Sequence, residues 1–437
     1  MRTRSFVVIL LLASAARLGV LFWSWNHPDR LLTPDSEGYI LLSRSLAEEQ
    51  SFQIDGRHEI NRTPGYPAFL SPFAAMGDSW WRAAALVQAL LDVLLVHLTF
   101  LLGWMLTGND RAGLVAAAFQ AVSPLAIAAS VRILSDSLFA FMLTLSLLLV
   151  VYHLRTGRYW GLVAGAVLLG LACYVRPVGV TFAAICTLIL LFRPHRLARA
   201  GLFAGIVAAC VAPWIVRNAI TADYIGFSSF AGDSLYHFAT AELIAADEGK
   251  DPAEVRSELK EIGARENAGK APGPAAGFRL KLAMEAIRQR PWLYAKTHLI
   301  DSLGFFLPGA TDLLEVCGVT TGGRGTLDVL HSQGPLAAWR HYFADNTPAM
   351  ISAAAMIVIL AGQYLGVILC LLRRIGQSIP AEAWLLGLIV VVAALLPGPS
   401  GLPRYRIPAE PLLAVAAGAG FTRKRRKAPA TQPVLRG

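Results

Sequence analysis

The sequence predicts an all-α polytopic membrane protein with about ten transmembrane helices, amphipathic surface helices in its first outer loop and a larger outer loop region. Three observations carry that expectation. Of 437 residues, 55% are hydrophobic and only 16% charged, and the mean hydropathy is +0.52, a balance that cannot dress a water-soluble surface. The apolar residues gather into runs of bilayer length. The basic residues fall in every second gap between those runs, as topology signals do. The net charge of +10 is distributed in that way, so no nucleic-acid partner is expected.

In order, the apolar runs are 5–23, 81–106, 112–130, 134–154, 159–174, 178–192, 200–216, 350–372, 381–396 and 407–421. The first follows Arg2 and Arg4 and carries Ala13-Ser14-Ala15, a signal-cleavage pattern, but about 20 apolar residues suffice for a retained spanning helix. Arg17 interrupts it. A membrane-buried arginine costs on the order of 3 kcal/mol, and its best partner is Asp92 in the next run, as a structural pair.

With the N-terminus inside, the inner segments hold Arg2 and Arg4; Arg111; Arg155 and Arg158; Arg193, Arg196 and Arg199; Arg373 and Arg374; and the tail Arg423 to Lys427. Every inner segment is then basic, which predicts a multi-pass cell-membrane protein with both termini cytoplasmic. The segment THLIDSLGFFLP, 297–308, is only 12 residues long and carries Asp301, too short to cross. As an eleventh span it would also throw Arg373 and Arg374 outside.

The chain divides accordingly. Residues 1–216 form a module of seven spans that includes the first outer loop, 25–80. Residues 217–348 form an extracytoplasmic loop region, 349–421 a three-span module and 422–437 a basic cytoplasmic tail. In the first outer loop, two short surface helices are expected at 36–49 and 67–76, joined by a loop, because Pro64, Gly65 and Pro67 forbid a continuous helix. In 217–348, a solvated helix is expected at 252–266, then a Gly/Pro/Ala linker forming a flexible loop. An amphipathic helix follows, ending near Pro291. Its Leu280, Leu282, Met284 and Ile287 should face lipid or protein, with Arg279, Lys281, Arg288 and Arg290 outward.

Outer-face polarity concentrates in DSEGY, RTPGY, RILSDSL, YVRPVG, PWIVRN and GLPRYRIP. Asp35 is the first carboxylate beside the membrane, and it also stands where a cap for the helix 36–49 would stand. Asp136, after Ser135, reads first as a cap or dipole partner. Arg176, before Pro177, reads first as an interfacial anchor. Arg404 and Arg406 alternate between Pro403 and Pro408, which keep the segment extended or turned. They could meet lipid headgroups or clamp a phosphate.

Of five cysteines, Cys173, Cys186, Cys210 and Cys370 lie in apolar runs and Cys317 in polar sequence, with no disulfide framework or metal spacing. There is no Gly-rich loop after a strand, no Walker sequence and no DxD pair. Asp35, Glu37, His58 and Glu59 could gather a cation, but their spacing specifies no geometry. No metal and no cofactor is therefore assigned, and divalent-metal dependence is left open.

In their order, these motifs resemble the GT-C superfamily of membrane glycosyltransferases, within it the branch of dolichyl-phosphate-mannose protein mannosyltransferases and the bacterial aminoarabinose lipid A transferase. PDSEGY resembles the acidic motif of that family's first outer loop, and RTPGYP its Pro-rich stretch before the second span. SPLAIAASVRILSDSLF resembles its turn between third and fourth spans, and PRYRIPAEP the segment before its last span. The likeness covers residues 1–220 and 350–421. Where many relatives carry two adjacent acids, this chain has Asp35-Ser36-Glu37, so a shared role for Glu37 is not implied.

The resemblance implies transfer of a sugar from a polyprenyl-phosphate carrier to a lipid, glycan or protein acceptor on the outer face, with inversion. Asp35 would be the base. Arg404 and Arg406 would hold the leaving phosphate, with Arg62 and Arg176 behind them. Glu37, Tyr39, Tyr66, Asp136 and Tyr405 complete the expected substrate-binding set. The lipid-linked donor is a substrate rather than a cofactor, and membrane lipids are the other expected partner. The rival class, a transporter or lipid flippase, should show ionisable residues and helix breaks near the midplane in two corresponding halves. The midplane here offers Asp92 and His97 in one run and little else. A non-catalytic assembly protein is the third class.

Overall fold

In hydrocarbon a peptide group has no water to bond, so an apolar run of bilayer length must satisfy its backbone internally and becomes a helix. The computed structural model describes residues 2–422 apart from 78–79, 193–194, 267, 320–328, 330–332 and 399–400. The basic tail 423–437 and Arg193, both expected as inner topology signals, lie outside the described residues. All ten apolar runs are helical.

Helix α1 (Arg2–Trp23) leads through α2 (Pro28–Leu31) to α3 (Pro34–Glu48), and α4 (Gly65–Ala74) closes the first loop. Between α3 and α4 the connection is more than the plain loop expected. Strands β1 (Gln53–Ile54) and β2 (Arg57–His58) pair antiparallel, Gln53 opposite His58. Their turn is Asp55-Gly56, with φ of 51° and 73°, and Asp-Gly with both φ positive is the preferred two-residue hairpin turn. That signal was readable in the sequence. The loop is held from outside by Arg217, whose guanidinium donates to the carbonyls of Phe52 (2.9 Å) and Glu59 (2.7 Å).

Helix α5 (Trp80–Thr107) is followed by α6 (Asp110–Val122) and α7 (Pro124–Val131), bent by 57° at their junction. Pro124 has no N–H to offer the Gln120 carbonyl, so the bond ladder breaks. Arg17 repairs the break. Its guanidinium donates to the carbonyls of Gln120 (3.0 Å) and Ala121 (2.8 Å), while its Nε bonds Asp92 at 2.6 Å. The Arg17–Asp92 pair read from the sequence is present, and its partner carbonyls explain why an arginine is there.

Helices α8 (Asp136–Thr156), α9 (Tyr159–Val175), α10 (Gly179–Leu191) and α11 (Arg196–Ala222) complete the first module. Then α12 (Phe230–Ser234), a π-helical turn Leu235–Thr240, α13 (Ala241–Glu248), α14 (Pro252–Glu266) and α15 (Pro272–Gln289) pack round a small core of their own, Tyr236, Ala241, Ala245, Val255, Leu259 and Ala283. Two expectations are corrected here. The Gly/Pro/Ala stretch does not form a loop throughout: Pro272 opens α15 at a position where its missing N–H costs nothing. Arg279 does not point outward but pairs with Asp233 at 2.5 Å, while Leu280 and Met284 are exposed and an alanine face is buried.

The chain continues through α16 (Pro291–Ser302), a 3-10 turn Leu303–Phe306, α17 (Ala310–Val316), α18 (Pro335–Tyr342), α19 (Thr347–Leu372) and α20 (Ala381–Leu395). A 3-10 segment, Pro403–Ala409, then opens α21 (Glu410–Phe421). Among the described residues, five helices are long and apolar enough to cross a membrane, six with the bent α6–α7 pair, and α9, α10 and α20 are shorter apolar helices. The protein is an all-α, multi-pass membrane protein. The entrances of α3, α8 and α21 and the exit of α9 meet at one end of the bundle. At the other end Arg155 bonds the Leu106 carbonyl (2.9 Å) and faces Glu382 (3.7 Å), and Arg373 bonds the Thr422 carbonyl (3.2 Å).

Candidate active site

Helix α3 is capped by Thr33, not by Asp35. The Thr33 N–H bonds Ser36 Oγ at 2.9 Å, and that hydroxyl donates to the Ile133 carbonyl at 2.9 Å, fixing the entrance of α3 against the turn before α8. The capping reading of Asp35 is thereby corrected: Asp35 sits inside the first turn, its side chain 48% exposed and free of the backbone. Arg404 Nη2 donates to Asp35 Oδ2 at 2.6 Å, and Arg62 lies 4.0 Å from Oδ1. Burial pushes the Asp35 carboxyl up, but Arg404 first, then Arg62 and Arg176, outweigh it and hold it below the usual carboxylate value.

Arg62 reaches the site because residue 38 is glycine. A Cβ there would stand 2.6 Å from the Arg62 Cζ. The guanidinium instead lies 5.3 Å over the Tyr39 ring, and Tyr39 is one turn on from Asp35, on the same face of α3. Its hydroxyl is 3.2 Å from Ser135 Oγ, and its ring meets Tyr66 edge-on at 4.9 Å.

Asp136 opens α8 and is buried; Arg176, the C-cap of α9, donates to its Oδ1. Arg176 is therefore an ion-pair partner rather than a plain interfacial anchor, and the N-cap of α8 is Ser135. Among the described residues, Asp136 Oδ2 has no hydrogen-bond partner. Burial opposes the charge on Arg404, but Asp136 and then Asp35 more than restore it, so Arg404 stays firmly protonated.

Four expected site residues are placed otherwise. Arg406 is buried; its Nε bonds Glu410 (2.7 Å) and its Nη1 bonds the carbonyls of Phe305 (2.6 Å) and Leu307 (2.7 Å). In a 3-10 turn, residues two apart point about 240° from one another, so Arg404 faces the site and Arg406 the core. Tyr66 is fully buried, its hydroxyl donating to Gln88, which in turn bonds the Arg132 carbonyl at 2.8 Å. It forms the wall behind Tyr39. Glu37 is exposed and about 200° round the helix from Asp35. Tyr405 packs on the main core, with the Arg404 guanidinium 5.9 Å from its ring.

One participant was missed. Arg132, the C-cap of α7, bonds Asp312 at 2.5 Å and Glu315 at 2.8 Å, strapping α17 beside the cluster. Its motif RILSDSL marked the neighbourhood, but nothing near Asp312 or Glu315 in the sequence signals the pairing. The assembled site is thus one half-exposed carboxylate, Asp35, facing Arg404 and Arg62, with the Asp136–Arg176 pair alongside. It can hold an oxyanion and accept a proton at the same place.

A family model described as dolichyl-phosphate-mannose-protein mannosyltransferase matches residues 61–216, the stretch that supplies Arg62, Tyr66, Asp136 and Arg176. The oligosaccharyltransferase of Archaeoglobus fulgidus, solved with a tethered acceptor peptide, shares the architecture over 96% of this chain and 49% of its own, with a TM-score of 0.51 and 15% identity. This is a GT-C fold. The superfamily resemblance read from the outer-face motifs and the fold agree, although the chain spans about half the length of that archaeal enzyme. ArnT from Cupriavidus metallidurans, solved with undecaprenyl phosphate, matches 96% of this chain and 77% of its own at 14% identity and a TM-score of 0.44. No curated protein sequence matches the chain. Within this fold, the loop between α1 and α5 and the 3-10 segment before the last helix supply the two sides of the cluster.

Proposed function

We propose that the protein is a glycosyltransferase moving a sugar from a polyprenyl-phosphate carrier to a lipid, glycan or protein acceptor on the extracytoplasmic face. In this reading all ten helical runs cross the membrane with both termini inside, and the 217–348 region selects the acceptor. One observation carries the reading: a half-exposed carboxylate in the first turn of a helix, Asp35, held directly by Arg404 and flanked by Arg62. The description of the matching family supports the polyprenyl-phosphate donor.

The chemistry is a single displacement. The acceptor oxygen bonds the anomeric carbon, the bond from that carbon to the phosphate oxygen breaks, and the acceptor proton passes to Asp35. The phosphate leaves with its charge held by Arg404 and Arg62, which are already oriented. Attack opposite the leaving group inverts the centre. Before the donor arrives, Asp35 and Arg404 neutralise one another. An incoming phosphate competes for Arg404 through charge-assisted hydrogen bonds, and the released carboxylate turns to the acceptor hydroxyl.

The test is transfer in membranes supplied with a polyprenyl-phosphate sugar. Asp35→Asn should fold and bind carrier but lose about 10²- to 10⁴-fold in rate. Transfer at the normal rate removes Asp35 as the base, and carrier or solute flux without any transfer supports the transporter class instead.

A further inference from the structure

The segment α16 with its 3-10 turn is not used by the reaction above, and it is too short to span. Its surface is inverted. Trp292, Lys296, Leu299 and the C-cap Leu303 recur at steps of three and four, so they share one face of α16, and Leu307 follows in extended backbone after the turn. All of them are exposed, Trp292 at 86% and Leu303 at 61%. On the inward side Ser302 of α16 and Phe305 of the turn are buried, while Thr297, Ile300 and Asp301 line a cavity of about 320 Å³ together with Glu242 and Lys250. A helix in water turns its apolar stripe the other way.

Depth gives the second argument. Helix α21 has 12 residues, about 18 Å at 1.5 Å per residue, and its far end is tied to Arg373 at the basic end of the bundle. Four 3-10 residues at about 2 Å each add about 8 Å, so Arg406 stands about 26 Å from that end, just within the outer limit of a hydrocarbon layer of about 30 Å, and it holds the carbonyls of Phe305 and Leu307. The intervening Phe306 carbonyl accepts from Tyr364 Oη at 3.1 Å, and His298 Nε2 donates to the Leu395 carbonyl at the end of α20 at 2.7 Å. Where the backbone leaves the helix, each of these carbonyls meets a side-chain donor. Non-helical backbone at membrane depth requires that, and backbone in water does not.

We propose that residues 291–307 are a re-entrant segment embedded in the leaflet at the site end of the bundle, with lipid acyl chains as the partner of the Trp292–Leu307 stripe. The segment is bonded to α19 through Tyr364 and to α20 through His298, and on those helices Val358, Leu365, Val391 and Leu395 are exposed as well. Lys296 reaches toward headgroups along its own stem. Through Arg406 the turn is latched two residues from Arg404, so lipid packing against it bears on the segment that holds Asp35.

The experiment uses the full chain in phospholipid vesicles, its native cysteines replaced, with spin labels at Leu299→Cys, Leu303→Cys and Leu307→Cys and, as an aqueous control, Glu258→Cys on α14. Labels on the stripe should collide with oxygen severalfold more, relative to a water-soluble nickel chelate, than the control does. A nickel-to-oxygen balance on the stripe equal to that of the control overturns the proposal. A second measurement keeps the native cysteines: lipids brominated on their acyl chains should quench less of the total tryptophan fluorescence in Trp292→Phe than in the parent. An unchanged quenched fraction places Trp292 in water and overturns it independently.

Discussion

Arg404 Nη2 lies 2.6 Å from Asp35 Oδ2 across 369 residues of sequence, joining the loop after the first helix to the segment before the last one. The ion pair makes the proposed base and the proposed phosphate clamp one unit, so a substitution at either residue alters the other.

The first consequence is a pH effect. Asp35 is held below its ordinary value, so its ionised form survives to lower pH than a free carboxylate, and transfer should fall only as pH drops through that lowered value. In Arg404→Gln the carboxyl moves back up, and the acid limb of the rate profile should shift to higher pH. For stability the sign is the same: the pair contributes above the unfolded value, about 3.9, and is lost as pH falls through the folded one. An acid limb that does not move in Arg404→Gln breaks the link between this carboxylate and the rate.

Gly38→Ala places a methyl where the Arg62 guanidinium now rests. Helix α3 accepts alanine readily, so the fold should persist while Arg62 is displaced. Loss of one charged phosphate contact is worth about 1.5–3 kcal/mol, a rise in KM for the carrier of roughly ten- to a hundredfold with kcat less affected. Steady-state kinetics over carrier concentration read it.

Arg406→Ala should separate from Arg404→Ala. Removing Arg406 leaves the buried Glu410 charge with only Gln363 donating to its other oxygen, and two carbonyls without the Arg406 donor, a loss of about 3–5 kcal/mol. It should appear as a lower unfolding temperature in detergent, whereas Arg404→Ala should instead weaken carrier binding in a protein of near-normal stability.

Arg17→Leu should destabilise by a similar amount, because it strands Asp92 and the carbonyls at the α6–α7 break. Adding Asp92→Leu should recover part of the loss but not all, since the Gln120 carbonyl still lacks a donor. Thermal unfolding of the two variants measures the difference.

Most of this architecture was legible locally. Hydrocarbon forces each apolar run into helix whatever its neighbours are, so all ten runs are helical, the third broken in two at Pro124, and Arg17 pointed to Asp92 because a lone charge at that depth needs a partner. The hairpin turn at Asp55-Gly56 and the helix opened by Pro272 were also written in local residues, although they were read as loop. The site was legible as a set of residues and not as contacts. Which member of the Arg404–Arg406 pair faces Asp35 depends on the phase of a 3-10 turn. That Thr33 rather than Asp35 caps α3 depends on where Ser36 finds the Ile133 carbonyl. The straps from Arg132 to Asp312 and Glu315 close across more than a hundred residues with no motif at either acid. Periodicity and hydropathy act over a few turns of chain, so they decide elements and membrane depth. Side-chain pairing is decided by how the packed helices present their ends to one another, and only the folded chain brings Asp35, Arg62 and Arg404 to one place.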